Sequence, residues 1–354
     1  MTDNCYRHEP SDYLIRFSGL AVLLTLCVLL LGVATRLLDA GLGCPDWPGC
    51  YGRLAVPSAE QAARVSSQPL EPVKAWMEMI HRYAAGLLGV LALVCAALCL
   101  RQSQRRLRLI GIALPLLIGL QGAFGMWTVT LRLWPVVVTA HLLGGLSCLV
   151  LFFWLRLSLR SVADQPPGRQ SGSAVNPLYW LALLVLLLQI SLGGWTSSNY
   201  AGVGCIGLPQ CNGEWWPQAD FAQGFHLSPE IGHDYLHGQL DAVARTAIHL
   251  SHRLGAVLLG IVLLALAYQQ RSAERRLRNS SRILLLLYGC QLLVAAVMIA
   301  WSLPVWLALL HTLIAALLLL TLVYAGFYGM AQQRSRPLTT EIQTAQHRRE
   351  GYGH

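Results

Sequence analysis

Eight stretches of about twenty mostly apolar residues run through this chain, and a bilayer span needs about that length. They cover roughly 17–36, 80–100, 109–130, 135–155, 178–196, 247–268, 283–302 and 304–330 of the 354 residues. The chain is 55% hydrophobic and only 12% charged, whereas an ordinary globular chain is about a quarter charged. That leaves too little polar surface for a soluble enzyme, a disordered chain or a collagen-like fibre. The expected fold class is an all-α polytopic membrane protein. Leu14–Ala34 is too long for a signal-peptide core, and no A-x-A-like cleavage site follows it, so it counts as the first span.

The net charge of +9 is a matter of orientation rather than of nucleic-acid binding, because 25 of the 26 basic residues are Arg and most sit between apolar runs. Eighteen of the 26 fall on one side, in the tails and the short connections, for example Arg105, Arg106 and Arg108 or Arg275, Arg276 and Arg278. The opposite side has two long connections, about 37–79 and 197–246, and two short ones near Arg132 and Leu303. Arginine-rich loops stay in the cytoplasm. Both termini are therefore expected there, with the long loops outside.

The second half of the chain repeats the first. Thr35 answers Thr196, Cys44 and Cys50 answer Cys205 and Cys211, His81-Arg82 answers His252-Arg253, and Gln121 and His141 answer Gln291 and His311. The offset is 161 for the first pairs and 170–171 for the rest, so one insertion of about ten residues in the second long loop accounts for the change. The expected organisation is a cytoplasmic tail (1–16), a four-helix bundle (17–160), a cytoplasmic linker (161–177), a second four-helix bundle (178–330) and a tail (331–354). Parallel repeats of this kind are related by an axis along the membrane normal.

On this topology each bundle carries two histidines at similar depth: His81 and His141 in the first, His252 and His311 in the second. An ionisable side chain inside a membrane must find a partner or a cavity. One alone is most simply a buried polar group bonded across helices. A pair that recurs in a duplicated bundle fits heme better, with opposed imidazoles at the iron. Small neighbours such as Gly86, Gly89, Gly144 and Gly255 leave room for a flat macrocycle. Zinc fits less well, for want of third and fourth ligands. Arg82 and Arg253 could pair with heme propionates or simply snorkel to the interface.

The halves differ beside the ligands. Glu78 lies three residues before His81, and His249 holds the matching place before His252. A carboxylate at one pocket only suggests proton-coupled chemistry in the first bundle and a stationary redox cofactor in the second. The alternative is an exposed charge favouring a helix N-terminus.

Cys27, Cys95, Cys99, Cys148 and Cys290 fall in spans and read as small buried hydrophobes. Cys44/Cys50 and Cys205/Cys211 lie in the outer loops, where an oxidising compartment favours disulfides; whether they are structural or redox-active is open. His226, His233 and His237 lie in the tract with the insertion, as solvated loop residues or as a metal site.

Taken together these residues resemble the heme A synthase family, of the bacterial type with a cysteine pair in each long loop. The similarity spans about 15–330. It rests on Gly41-Leu-Gly-Cys44-Pro-Asp-Trp-Pro-Gly-Cys50-Tyr, Glu78-Met-Ile-His81-Arg82, Thr139-Ala-His141-Leu, His252-Arg253 and His311-Thr. The resemblance implies oxidation of the C8 methyl of heme O to the formyl of heme A by two successive hydroxylations, for terminal-oxidase assembly. It places substrate heme between His81 and His141 with Glu78 as catalytic carboxylate, and a heme B cofactor between His252 and His311. It links Cys44/Cys50 with activity and makes heme O synthase the expected partner. The three inserted histidines have no counterpart in it.

Three rivals remain: a di-heme b-type membrane electron-transfer protein, which expects symmetric pockets; a membrane thiol oxidoreductase, which gives no reason for duplicated intramembrane histidines; and a heme-free transporter, which a preparation lacking a Soret band would favour. The absence of an Arg- and Ser-rich amphipathic presequence favours a bacterial inner membrane. No signal speaks to a homo-oligomer or to the external electron acceptor.

Overall fold

The computed structural model describes residues 12–164, 177–231 and 234–333. Eight of its helices are long and apolar enough to cross a membrane. In chain order the helices are α1 (Asp12–Leu37), α2 (Ala59–Ala63), α3 (Pro72–Leu100), α4 (Arg105–Thr130), α5 (Pro135–Asp164), α6 (Pro177–Ser198), α7 (Phe221–Gly224), α8 (Ala242–Gln269), α9 (Arg275–Ala300) and α10 (Val305–Gln333). The short α2 and α7 lie in the two long loops. Among the described residues there is no strand, so the all-α expectation holds.

Most helices begin before the apolar run that marks them. Helix α3 starts at Pro72, not near residue 80, and α8 at Ala242, not near 247. Residues 12–16, expected in the tail, are already helical, and α5 runs into the expected linker. The reason is physical: a helix outlasts the hydrocarbon layer, and its polar first turn is satisfied by water and by acidic groups such as Asp12. Most of the linker, most of both tails, and His233 lie outside the described residues.

The first four spans close a ring in which α1 packs on α3 and α5, and α4 packs on the same two. The last four do likewise, α6 and α9 each packing on α8 and α10. The two groups meet along α5–α6, α1–α10 and α5–α10. Leu29, Leu149, Leu186, Leu263 and Leu319 share one buried cluster that runs across this seam. Side chains facing away from it, such as Leu23, Val90, Leu264 and Leu286, are exposed yet apolar, as lipid contact requires. Cys27 is among the exposed ones, contrary to the buried place expected for it, while Cys95, Cys99 and Cys148 are buried.

At one end of the bundle the two long loops fold back on it. Each forms a disulfide, Cys44–Cys50 and Cys205–Cys211. Each second cysteine opens a two-residue hairpin: Cys50 pairs with Arg53 through bonds of 2.7 and 3.1 Å, and Cys211 with Glu214 through bonds of 2.9 and 3.1 Å. The turns are Tyr51-Gly52 and Asn212-Gly213, all four residues at positive φ, which is the geometry two-residue hairpins prefer. The glycine before each first cysteine lies against a helix backbone. A Cβ on Gly43 would sit 2.7 Å from the Lys74 carbonyl carbon, and one on Gly204 2.5 Å from the Arg245 oxygen. The second loop also reaches over the first four spans. Tyr235 N–H donates to the Arg132 carbonyl (3.1 Å) and Trp134 Nε1 to that of Pro229 (3.2 Å).

Candidate functional site: two pairs of facing imidazoles

His81 lies nine residues into α3 and His252 ten into α8, about 14–15 Å along each helix. His141 and His311 are each six residues into α5 and α10, about 9 Å along. Because α3 and α8 start early, His81 and His252 sit more than two turns inside their helices rather than near the start. The structure brings the four together as two pairs.

The first pair shares a cavity of about 600 Å³, within the range of small-molecule and cofactor sites. Glu78, His81, Arg82, Gln121, His141 and Arg36 line it, and α6 closes one side with Gly194 and Ser197. In the second pair the His252 and His311 ring centroids are 6.5 Å apart. Two imidazoles bound to opposite sides of one metal ion, with metal–nitrogen bonds of about 2 Å, set their centres roughly 6 Å apart. Buried, unpaired atoms mark both pairs: Nδ1 of His81 and His141 with Nε2 of Gln121 in the first cavity, and Nδ1 of His311 in the second pair. Such groups are costly to leave unbonded, so both pairs fit a ligand that engages imidazoles. Small residues let the rings lie flat. An added Cβ at Gly32 would meet His81 Cε1 at 2.8 Å, and one at Gly193 would meet His252 Cε1 at 3.2 Å.

Glu78 is 4% exposed. Its Oε2 accepts the Cys44 N–H (2.9 Å) and its Oε1 pairs with Arg82. Arg82 also reaches carbonyls of the disulfide loop, at Asp46 (3.0 Å), Pro48 (3.1 Å) and Gly49. Across the molecule, His249 Nδ1 accepts the Cys205 N–H at 3.2 Å, and Arg253 donates to the carbonyls of Cys205 (2.8 Å) and Gln210 (3.1 Å). Both arginines thus brace the loops. Gln189 Nε2 lies 3.2 Å from His252 Nδ1 and orients that ring.

His226 borders a separate cavity of about 230 Å³, and His237 stands beside Asp39 at 3.5 Å. No group of three His, Cys, Asp or Glu side chains that could hold a metal ion occurs among the described residues. The sequence reading missed Arg36, an arginine at the long-loop end that faces the first cavity with its side chain 13% exposed. Its one signal was its presence at the outer end of a span.

Fold and site together define an eight-span membrane protein built around two pairs of facing imidazoles. The chain belongs to the family described as cytochrome oxidase assembly protein (COX15-CtaA), which matches residues 15–323. It is 42% identical to the heme A synthase of Shewanella oneidensis over 318 residues, 87% of this chain and 94% of that one. The heme A synthase of Beijerinckia indica is 29% identical over 89% of this chain and 92% of its own, and that of Shouchella clausii 24% over 90% and 96%.

Proposed function

We propose that this protein is an oxidoreductase that converts the C8 methyl of heme O to the formyl of heme A by two successive hydroxylations. The first four spans take the substrate, with His81 and His141 at its iron, and the last four keep a heme B between His252 and His311. The two sets of spans are read as a tandem duplication whose long loops face the periplasm of a bacterial inner membrane. Heme O synthase is the source of substrate.

A heme held by two imidazoles supplies one-electron transfer. The protein's own part lies at the first cavity. Helices α1, α3, α4, α5 and α6 wall it with mostly apolar side chains, so a charge placed there acts more strongly than in bulk water. Glu78 is held at both oxygens, and a fixed carboxylate takes up a proton released as the methyl carbon is oxidised. Arg82 keeps that carboxylate in place while fastening the Cys44–Cys50 loop over it.

One observation carries this reading. Glu78 and His249 make the same bond to the first cysteine of their loops, yet only the first half has a carboxylate there. The test is pigment extraction after co-expression with a supply of heme O. The expected products are the hydroxylated and formyl hemes; recovery of heme B and unconverted heme O alone would refute the proposal and favour a di-heme electron carrier.

A further inference from the structure

Two arginines line the first cavity, and they are differently employed. Arg82 spends its terminal nitrogens on Glu78 and on three loop carbonyls. Arg36, at the end of α1, forms its hydrogen bonds among the described residues through Nη2 alone, to the carbonyls of Ser197 (2.7 Å) and Ser198 (3.4 Å). Its guanidinium carbon stands 3.9 Å from the centre of the Tyr200 ring. Its charge partner, Asp39, is 3.6 Å from Nη1, beyond hydrogen-bond length. Asp39 is also claimed by the Tyr200 hydroxyl (2.6 Å) and faces His237 Nδ1 (3.5 Å).

Arg36 is thus a mostly buried cation, clamped on one edge and one face, with donors to spare at the wall of a cavity. The position 161 residues on is Ser197, whose carbonyl accepts from it. The second half therefore has no arginine at the matching position, and Arg36 lines the first cavity. Porphyrins of the heme class are apolar plates carrying two carboxylates on one edge. Arginine matches a carboxylate with parallel hydrogen bonds, and the clamp by Ser197, Ser198 and Tyr200 orders the side chain before binding, which removes part of the cost of fixing it.

We propose that Arg36 anchors a propionate of the porphyrin substrate and so sets which edge of the macrocycle faces the long-loop end. This rests on the assignment of the first cavity to a porphyrin. Arg36 is a positioning residue: it fixes where the methyl lies relative to Glu78.

The experiment titrates the full-length protein, second heme in place, with iron protoporphyrin IX and separately with its dimethyl ester. Binding is read from the Soret band. Esterification should weaken binding to the unaltered protein by about 10- to 100-fold, the scale of a hydrogen bond to a charged group. Arg36→Gln should weaken the free acid by a similar factor and leave the ester nearly unchanged, while Arg36→Lys should restore part of the preference. Equal weakening of both ligands by Arg36→Gln would make Arg36 a structural brace and overturn the proposal, as would no change in either. Retention of the heme bound in the second half gauges folding of each variant. His141→Ala separates the underlying assignment: if it titrates like the unaltered protein, the cavity is not the porphyrin site and the proposal falls with it.

Discussion

The two long loops are fastened in the same way by different chemistry. In each, a side chain three residues before a paired histidine accepts the N–H of the loop's first cysteine, and an arginine one residue after that histidine holds the loop's carbonyls. In the first half the acceptor is Glu78, in the second His249. A neutral imidazole is enough to hold the loop, so folding does not require a carboxylate there. Burying one costs desolvation, which Arg82 offsets in part. A charge kept where the fold makes do with a neutral group points to chemistry.

The largest effect should follow from making the halves alike. Glu78→His copies the second half and keeps an acceptor for Cys44. It should preserve the disulfide and the heme content while lowering methyl oxidation by about 100-fold or more, the usual scale of a lost general base. Normal yield of oxidised heme, measured on extracted pigment, would break the comparison and reduce Glu78 to a loop fastener. The next effect separates the pockets by content. His311→Ala removes one of the two rings 6.5 Å apart and should strip the heme proposed for the last four spans while the first cavity still binds added heme. If heme is lost from the first cavity instead, the roles of the halves are exchanged.

The spans were legible because apolar runs of this length have few other fates. The paired histidines and cysteines were legible because they recur in order. Helix ends were not, since the polar first turns of α3 and α8 carry no apolar signal. The task of Arg82 and Arg253 was hidden as well: each reaches a loop more than thirty residues away in sequence, and only the folded loop shows its carbonyls to them. Arg36 escaped for a further reason. In sequence, an arginine at the end of a span carries no sign of whether it meets water or a cavity wall, and only the fold sets Arg36 against the first cavity. The lean of the second loop onto Arg132 and Trp134 rests on bonds across about a hundred residues, beyond any local pattern.

The disulfides give the smallest effect in energy and the finest test of the comparison. Each closes a loop of about seven residues, and the chain-entropy estimate for such a loop is about 2 kcal/mol. Replacing Cys44 and Cys50 with Ser, or Cys205 and Cys211 with Ser, should therefore lower thermal stability by similar amounts. Activity should respond unequally. Releasing the first loop loosens the Cys44 N–H from Glu78 and lets the carboxylate shift against the substrate, so oxidation should fall by more than the loss of folded protein explains. Releasing the second loop loosens the Cys205 N–H from His249 and the loop carbonyls from Arg253, neither of which is a carboxylate, so on the proposed reading activity per folded molecule should be nearly unchanged. Equal losses per folded molecule would mean that the loops act alike on catalysis, and the distinction between Glu78 and His249 would have to be sought in the pockets alone.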